Sequence, residues 1–67
     1  MMRIKTNLKK MRLAQQLTQE ELATMLGVTR QTINAIEQDK YQPTLYLAYK
    51  CARLFKTDIE HIFTFEE

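Results

Sequence analysis

Sixty-seven residues suffice for one domain, residues 1–67, and a single cysteine and a single histidine exclude both a disulfide framework and a Cys/His metal cluster. The formal net charge of +2 is too small to demand a polyanionic partner, and no apolar run approaches the ~18 residues of a membrane span. A chain this short buries only about 60% of the surface its unfolded form exposes. With neither disulfide nor metal, self-association is the remaining route to stability, so a homodimer is expected.

The start, Met1-Met2-Arg3-Ile4-Lys5, lacks the apolar stretch of a signal peptide, and a lone thiol suits a reducing cytosol; a cytoplasmic protein is expected. Charge is unevenly spread. Residues 1–40 hold seven Lys/Arg (3, 5, 9, 10, 12, 30, 40) against four acids (20, 21, 37, 39), whereas residues 41–67 hold three (50, 53, 56) against four (58, 60, 66, 67). The basic excess lies in the first half, which points to a phosphate-facing side.

Residues 2–5 alternate apolar and basic side chains and read as a short strand. From Asn7 the period becomes helical: Leu8, Met11 and Arg12 share one face of a first helix that runs to about Gln16, capped by Thr6 or Asn7. Leu17 occupies the bend that follows. Thr18-Gln19-Glu20-Glu21 is a capping box, and the second helix carries Leu22, Ala23 and Leu26 inward before stopping at Gly27. Thr29 then caps a third helix through about Gln38. Two short helices joined by a Gly-containing turn, about residues 18–38, have helix-turn-helix spacing.

After the loop Asp39-Lys40-Tyr41-Gln42, Pro43 and the cap Thr44 open a fourth helix, about Leu45–Phe55. It buries Leu47, Ala48, Cys51, Leu54 and Phe55 and turns Tyr46, Tyr49, Lys50 and Arg53 outward, over the surface or toward a partner subunit. Thr57 and Glu60 form a second capping box for a short fifth helix, about Asp58–Ile62. Residues 63–66 alternate again and pair with residues 2–5, with Arg3 and Lys5 facing Glu66. The fold class expected is therefore mostly all-α: five helices with a short antiparallel two-stranded sheet from the terminal segments.

The functional reading rests on the third helix. Val28, Ile33 and Ile36 face the core, which leaves Gln31, Asn34, Ala35 and Gln38 in a continuous outward stripe with Arg30 at its edge. A solvated helix face is ordinarily rich in Lys and Glu; this one carries planar forks that match base edges. Arg pairs with guanine O6/N7 and Gln or Asn with adenine N6/N7, while a small Ala permits close approach to a thymine methyl. Arg30, Gln31, Asn34 and Ala35 are the expected base-contacting residues. Gln19, Thr29, Thr32, Gln38, Lys40 and Gln42 are the expected sugar-phosphate contacts, Gln19 because it opens the positive end of the second helix.

Leu8-Lys9-Lys10-Met11-Arg12, Leu17-Thr18-Gln19-Glu20-Glu21-Leu22-Ala23, Gly27-Val28-Thr29-Arg30-Gln31-Thr32-Ile33 and Ile36-Glu37 resemble the lambda-repressor-like (Cro/CI, or xenobiotic-response-element) family over residues 7–55. The terminal extensions are similar to its small stand-alone members, which implies five helices, a short antiparallel sheet and a homodimer. The resemblance also implies base contacts from Arg30, Gln31 and Asn34, with Gln19 near the sugar-phosphate backbone. It further implies a partly buried Arg12–Glu37 ion pair between the first and third helices. The chain departs from the family in two places: Gln38-Asp39-Lys40 replaces its usual Asn-Gly, and Leu13 stands where it carries a polar residue.

His61 reads as a surface or dimer-contact residue, Cys51 as a buried small hydrophobe and the four methionines as adaptable packing. Ile59, Ile62, Phe63 and Phe65 are too many apolar side chains for an exposed tail; with Ile4 they form the expected dimer interface. No catalytic constellation, cofactor motif, metal site or small-molecule pocket is evident. The expectation is a homodimeric, sequence-specific regulator of transcription, a repressor, that binds an inverted repeat in double-stranded DNA. The alternative is an antitoxin or adaptor module built on the same fold.

Overall fold

The computed structural model describes residues 3–66. In chain order it contains β1 (Arg3–Thr6), α1 (Leu8–Ala14), α2 (Gln19–Leu26), α3 (Arg30–Glu37), α4 (Leu45–Leu54), α5 (Ile59–Ile62) and β2 (Phe63–Glu66). Five helices and a two-stranded antiparallel sheet make up the fold.

Helix starts follow the hydroxyls. Thr18, Thr29 and Thr44 each accept from the backbone N–H three residues on, which satisfies one orphan donor per helix. At α1 the arrangement is shared between the chain's two ends. Thr6 Oγ1 accepts from Leu8 N at 3.0 Å and donates to the Ile62 carbonyl at 3.1 Å. Asn7 N donates to the same carbonyl at 2.8 Å, and Asn7 Nδ2 donates to His61 O at 3.2 Å.

Helix ends share one device. Gln16, Gly27, Asp39 and Lys56 all have positive φ, between 55° and 73°, at the ends of α1, α2, α3 and α4. In each case the next residue's N–H returns to the last turn: Leu17 to Arg12, Val28 to Ala23, Lys40 to Ala35 and Thr57 to Ala52. These are Schellman turns. Only one of the four uses glycine, so sequence alone marks one and misses three. The turn after α4 also corrects the expected second capping box. Thr57 is consumed by that turn, so Asp58 is the N-cap of α5, with no side-chain cap hydrogen bond.

The core is one cluster. Leu22, Ala23 and Leu26 of α2 meet Ile33 and Ile36 of α3, Leu47, Ala48, Cys51 and Ala52 of α4, and Leu8 of α1. Leu54 and Phe55, expected inside, are half-buried at its margin, and Lys50, expected outward, is half-buried. Burial pushes the Cys51 thiol up to about 11, so it stays protonated and packs as a small hydrophobe.

Ile62 and Phe63 close this core from below and have almost no exposed surface, 0% and 3%. That corrects their assignment to a dimer interface: α5 is only four residues long, and β2 follows it directly, so both side chains turn inward against the protein's own helices. Phe65 remains exposed, and Ile59 and Ile4 are half-buried. In the sheet Arg3 lies opposite Glu66, Ile4 opposite Phe65, Lys5 opposite Thr64 and Thr6 opposite Phe63. Lys5 is thus in register with Thr64 and diagonal to Glu66, and the first strand runs one residue later than expected, with Met2 outside the described residues. No helix among the described residues is long and apolar enough to cross a membrane.

Candidate nucleic-acid interface

The candidate interface begins at the α2 N-terminus. Thr18 Oγ1 accepts from Glu21 N at 3.0 Å, and Glu21 Oε1 accepts from Thr18 N at 2.9 Å, a complete capping box. The backbone hydrogen bond from Thr18, helped by its side chain, holds the Glu21 carboxyl below its ordinary value of 4.5. Gly27 then turns the chain, and Thr29 starts α3, its hydroxyl 3.0 Å from that of Thr32.

Ile33 and Ile36 anchor α3 in the core and thereby fix its opposite side outward. Arg30, Gln31, Asn34 and Gln38 are exposed, and Ala35 is half-buried beside them. Arg30, Gln31 and Asn34 line one shallow concavity; Arg30 also borders a second with Arg12, Thr18, Gln19 and Glu20 at the start of α2. Lys40 and Gln42 lie exposed in the following loop, held near α3 by the Schellman turn at Asp39.

Behind this surface, Arg12 and Glu37 make a two-pronged ion pair. Arg12 Nε donates to Glu37 Oε2 at 2.7 Å and Nη2 to Oε1 at 3.2 Å, with side chains only 8% and 3% exposed. Arg12 Nη1 also donates to the Leu17 carbonyl at 2.7 Å, which ties the bend before α2 to the same group. Every buried side-chain polar atom among the described residues has a hydrogen-bond partner.

Sequence reasoning did not foresee how the surface amides connect to this pair. Gln19 Nε2 donates to Glu37 Oε1 at 3.0 Å and to Asn34 Oδ1 at 3.3 Å, and Gln38 Nε2 donates to the same Asn34 oxygen at 3.1 Å. The i, i+4 spacing of Asn34 and Gln38 gives a signal for their contact. The reach of Gln19 across to α3 depends on how two helices cross, which has no local signature. Gln31 engages no other side chain among the described residues. Those residues include no group of three or more His, Cys, Asp or Glu that could hold a metal ion.

A paired set of helices, the second of which presents amides and a guanidinium from a rigid core, defines a helix-turn-helix DNA-binding domain. The helix-turn-helix family model matches residues 8–62. The chain is 53% identical to MJ0272 of Methanocaldococcus jannaschii, covering 96% of this chain and 97% of that one. It is 50% identical to a protein of Archaeoglobus fulgidus, covering 96% and 90%, and 41% identical to YgzD of Bacillus subtilis, covering 96% and 97%. All three carry the name uncharacterized HTH-type transcriptional regulator. Among solved structures, a candidate DNA-binding protein from Bacteroides fragilis superposes with a TM-score of 0.80 at 26% identity, covering 91% of this chain and 98% of its own. The chain belongs to the Cro/CI-like helix-turn-helix family, a family of DNA-binding transcriptional regulators and not of enzymes.

Proposed function

We propose that this protein is a homodimeric repressor that reads an inverted-repeat operator with α3 in the major groove. The observation that carries the reading is the exposed stripe of Arg30, Gln31, Asn34 and Gln38, backed by buried Ile33 and Ile36. Its forks suit base edges, and Ala35 leaves room for the groove floor. Gln19, Thr29, Thr32, Lys40 and Gln42 surround the stripe and serve as sugar-phosphate contacts. Two such domains related by a two-fold axis set their recognition helices about 34 Å apart, which requires a palindromic site. Repression then follows from occupancy of a promoter.

The dimer reading is supported by the cross-strand pair Ile4–Phe65. It shares a sheet face with Phe63, which is buried, yet Phe65 itself is 58% exposed. The apolar face of the sheet thus continues past the core, and a second copy would cover it.

Selection from randomised duplex DNA at near-physiological salt tests the proposal. An inverted repeat with half-sites about one helical turn apart is expected; no motif, with only weak salt-sensitive binding, overturns base reading. Gln31→Ala should then relax preference at one position, whereas Lys40→Ala should weaken all sequences alike and lower the salt slope by about 1. Sedimentation tests the dimer separately: a monodisperse monomer at micromolar concentration rules it out.

A further inference from the structure

We propose that the Arg12–Glu37 ion pair fixes, through Gln19, the hydrogen-bond polarity of Asn34, so that Asn34 meets DNA as a donor only and selects a G·C pair. The inference rests on the reading that α3 enters the major groove.

The relay follows from the chemistry of each partner. A carboxylate only accepts and a guanidinium only donates. Glu37 Oε1 receives Arg12 Nη2 and, at 3.0 Å, an atom of the Gln19 amide. If that amide were reversed, its carbonyl oxygen would face a carboxylate oxygen, two acceptors with no proton between them. The Gln19 NH2 therefore points at Glu37. Its second hydrogen points at Asn34, 3.3 Å away, and the atom there must be the Asn34 oxygen. The Gln38 NH2, 3.1 Å from the same oxygen, follows that orientation and supplies its second donor. Both lone pairs of Oδ1 are thereby occupied.

What remains for a ligand is the Asn34 NH2. An asparagine that pairs with adenine must accept from N6–H2 while it donates to N7, and Asn34 has no acceptor left for the first bond. Guanine presents O6 and N7, both acceptors, to the two free hydrogens. The same side chain type that elsewhere favours adenine is turned here toward guanine, by a charge pair that never touches the DNA. Gln31, whose amide has no such partner, keeps both of its atoms for a base.

Selection with sequencing, run in parallel on the unmodified protein, Asn34→Ala, Asn34→Asp and the double variant Gln19→Met/Gln38→Ala, tests this. The position that loses preference in Asn34→Ala is the one Asn34 reads. The unmodified protein should hold a G·C pair there by at least about fivefold over A·T, the low end of one good base contact. Asn34→Asp still accepts from both glutamines but has no proton to donate, and should lose that preference. The double variant leaves the ion pair intact, frees both lone pairs and should bring A·T close to parity. An A·T pair selected by the unmodified protein, or a G·C preference unchanged in either variant, overturns the relay while base reading by α3 stands. If the unmodified protein selects no motif, base reading fails and the relay falls with it.

Discussion

Lys50 of α4 donates from its Nζ to the carbonyl of Leu26, the last residue of α2, while the same nitrogen sits 5.1 Å from the centroid of the Tyr46 ring. A cation is thus held against the negative end of the helix that leads into the turn, where it answers a carbonyl left without an intrahelical partner. Lys50→Met keeps the stem and removes the charge. It should cost about 1 kcal/mol, which for a domain of this size lowers Tm by roughly 4–8 °C. Thermal melts of the two proteins check this; equal melting temperatures would show the contact to be incidental.

Gln16, Asp39 and Lys56 occupy left-handed conformations that favour glycine. Replacing Gln16 or Lys56 by Gly should stabilise the fold by about 0.5–1 kcal/mol each, because left-handed strain on a side-chain-bearing residue exceeds the entropy that glycine gives up. Asp39→Gly should gain less, since aspartate tolerates this region. Gly27→Ala should do the reverse and destabilise by about 1 kcal/mol. Strain is its cause more than crowding, because the nearest atom an added Cβ would meet is Lys50 Nζ at 3.4 Å, the far end of a long side chain. Denaturant midpoints at constant slope are the measurement.

Glu37→Ala leaves the Arg12 guanidinium, 8% exposed, without its counter-charge. The expected loss is about 3–5 kcal/mol, comparable to the whole stability of so small a domain. The variant should be largely unfolded at 25 °C by circular dichroism. Arg12→Met combined with Glu37→Leu should recover part of the loss, but not all, because Leu17 O then lacks the donor it has in Arg12 Nη1. A double variant no better than Glu37→Ala would place the penalty elsewhere.

Glu21 carries the acid sensitivity of the α2 cap. Its folded value lies below 4.5 because the Thr18 N–H and hydroxyl bind its carboxylate. The stabilisation it contributes is fully present above its unfolded value and is lost as pH falls through the lower folded one. Glu21→Gln can still accept from Thr18 but cannot titrate. Between pH 7 and pH 3 its melting temperature should fall less than that of the unmodified protein. Parallel decline of the two would remove Glu21 from the acid limb.

The sequence declared its helices wherever a hydroxyl or the single glycine marked an end, so α2, α3 and α4 begin within one residue of expectation. It also exposed the amide stripe, because periodicity alone separates Ile33 and Ile36 from Gln31 and Asn34. Three things were hidden for physical reasons. Ile62 and Phe63 look like surplus apolar residues until the four-residue α5 and the register of β2 turn them into the core. Gln19 meets Asn34 and Glu37 only because α2 crosses α3 at a particular angle, which is set by core packing and by no local motif. Three Schellman turns built without glycine are silent in sequence for a third reason: their cost is met by the rest of the fold.

The hydrogen bonds from Thr6 and Asn7 to the carbonyls of Ile62 and His61 also bear on how the chain is made. Translation delivers Thr6 long before Ile62, so α1 starts with only its local cap, Leu8 N to Thr6 Oγ1, and gains the bonds to Ile62 and His61 after those residues have been made. Arg12 rides on that helix and Glu37 on another, so their pairing is not locked in place during most of synthesis. A nascent chain that already displays every residue of the amide stripe therefore does not yet carry the long-range hydrogen bonds that hold the start of α1. The long-range bonds at the start of α1 become possible once residues 61–66 have been made and β2 can pair with β1.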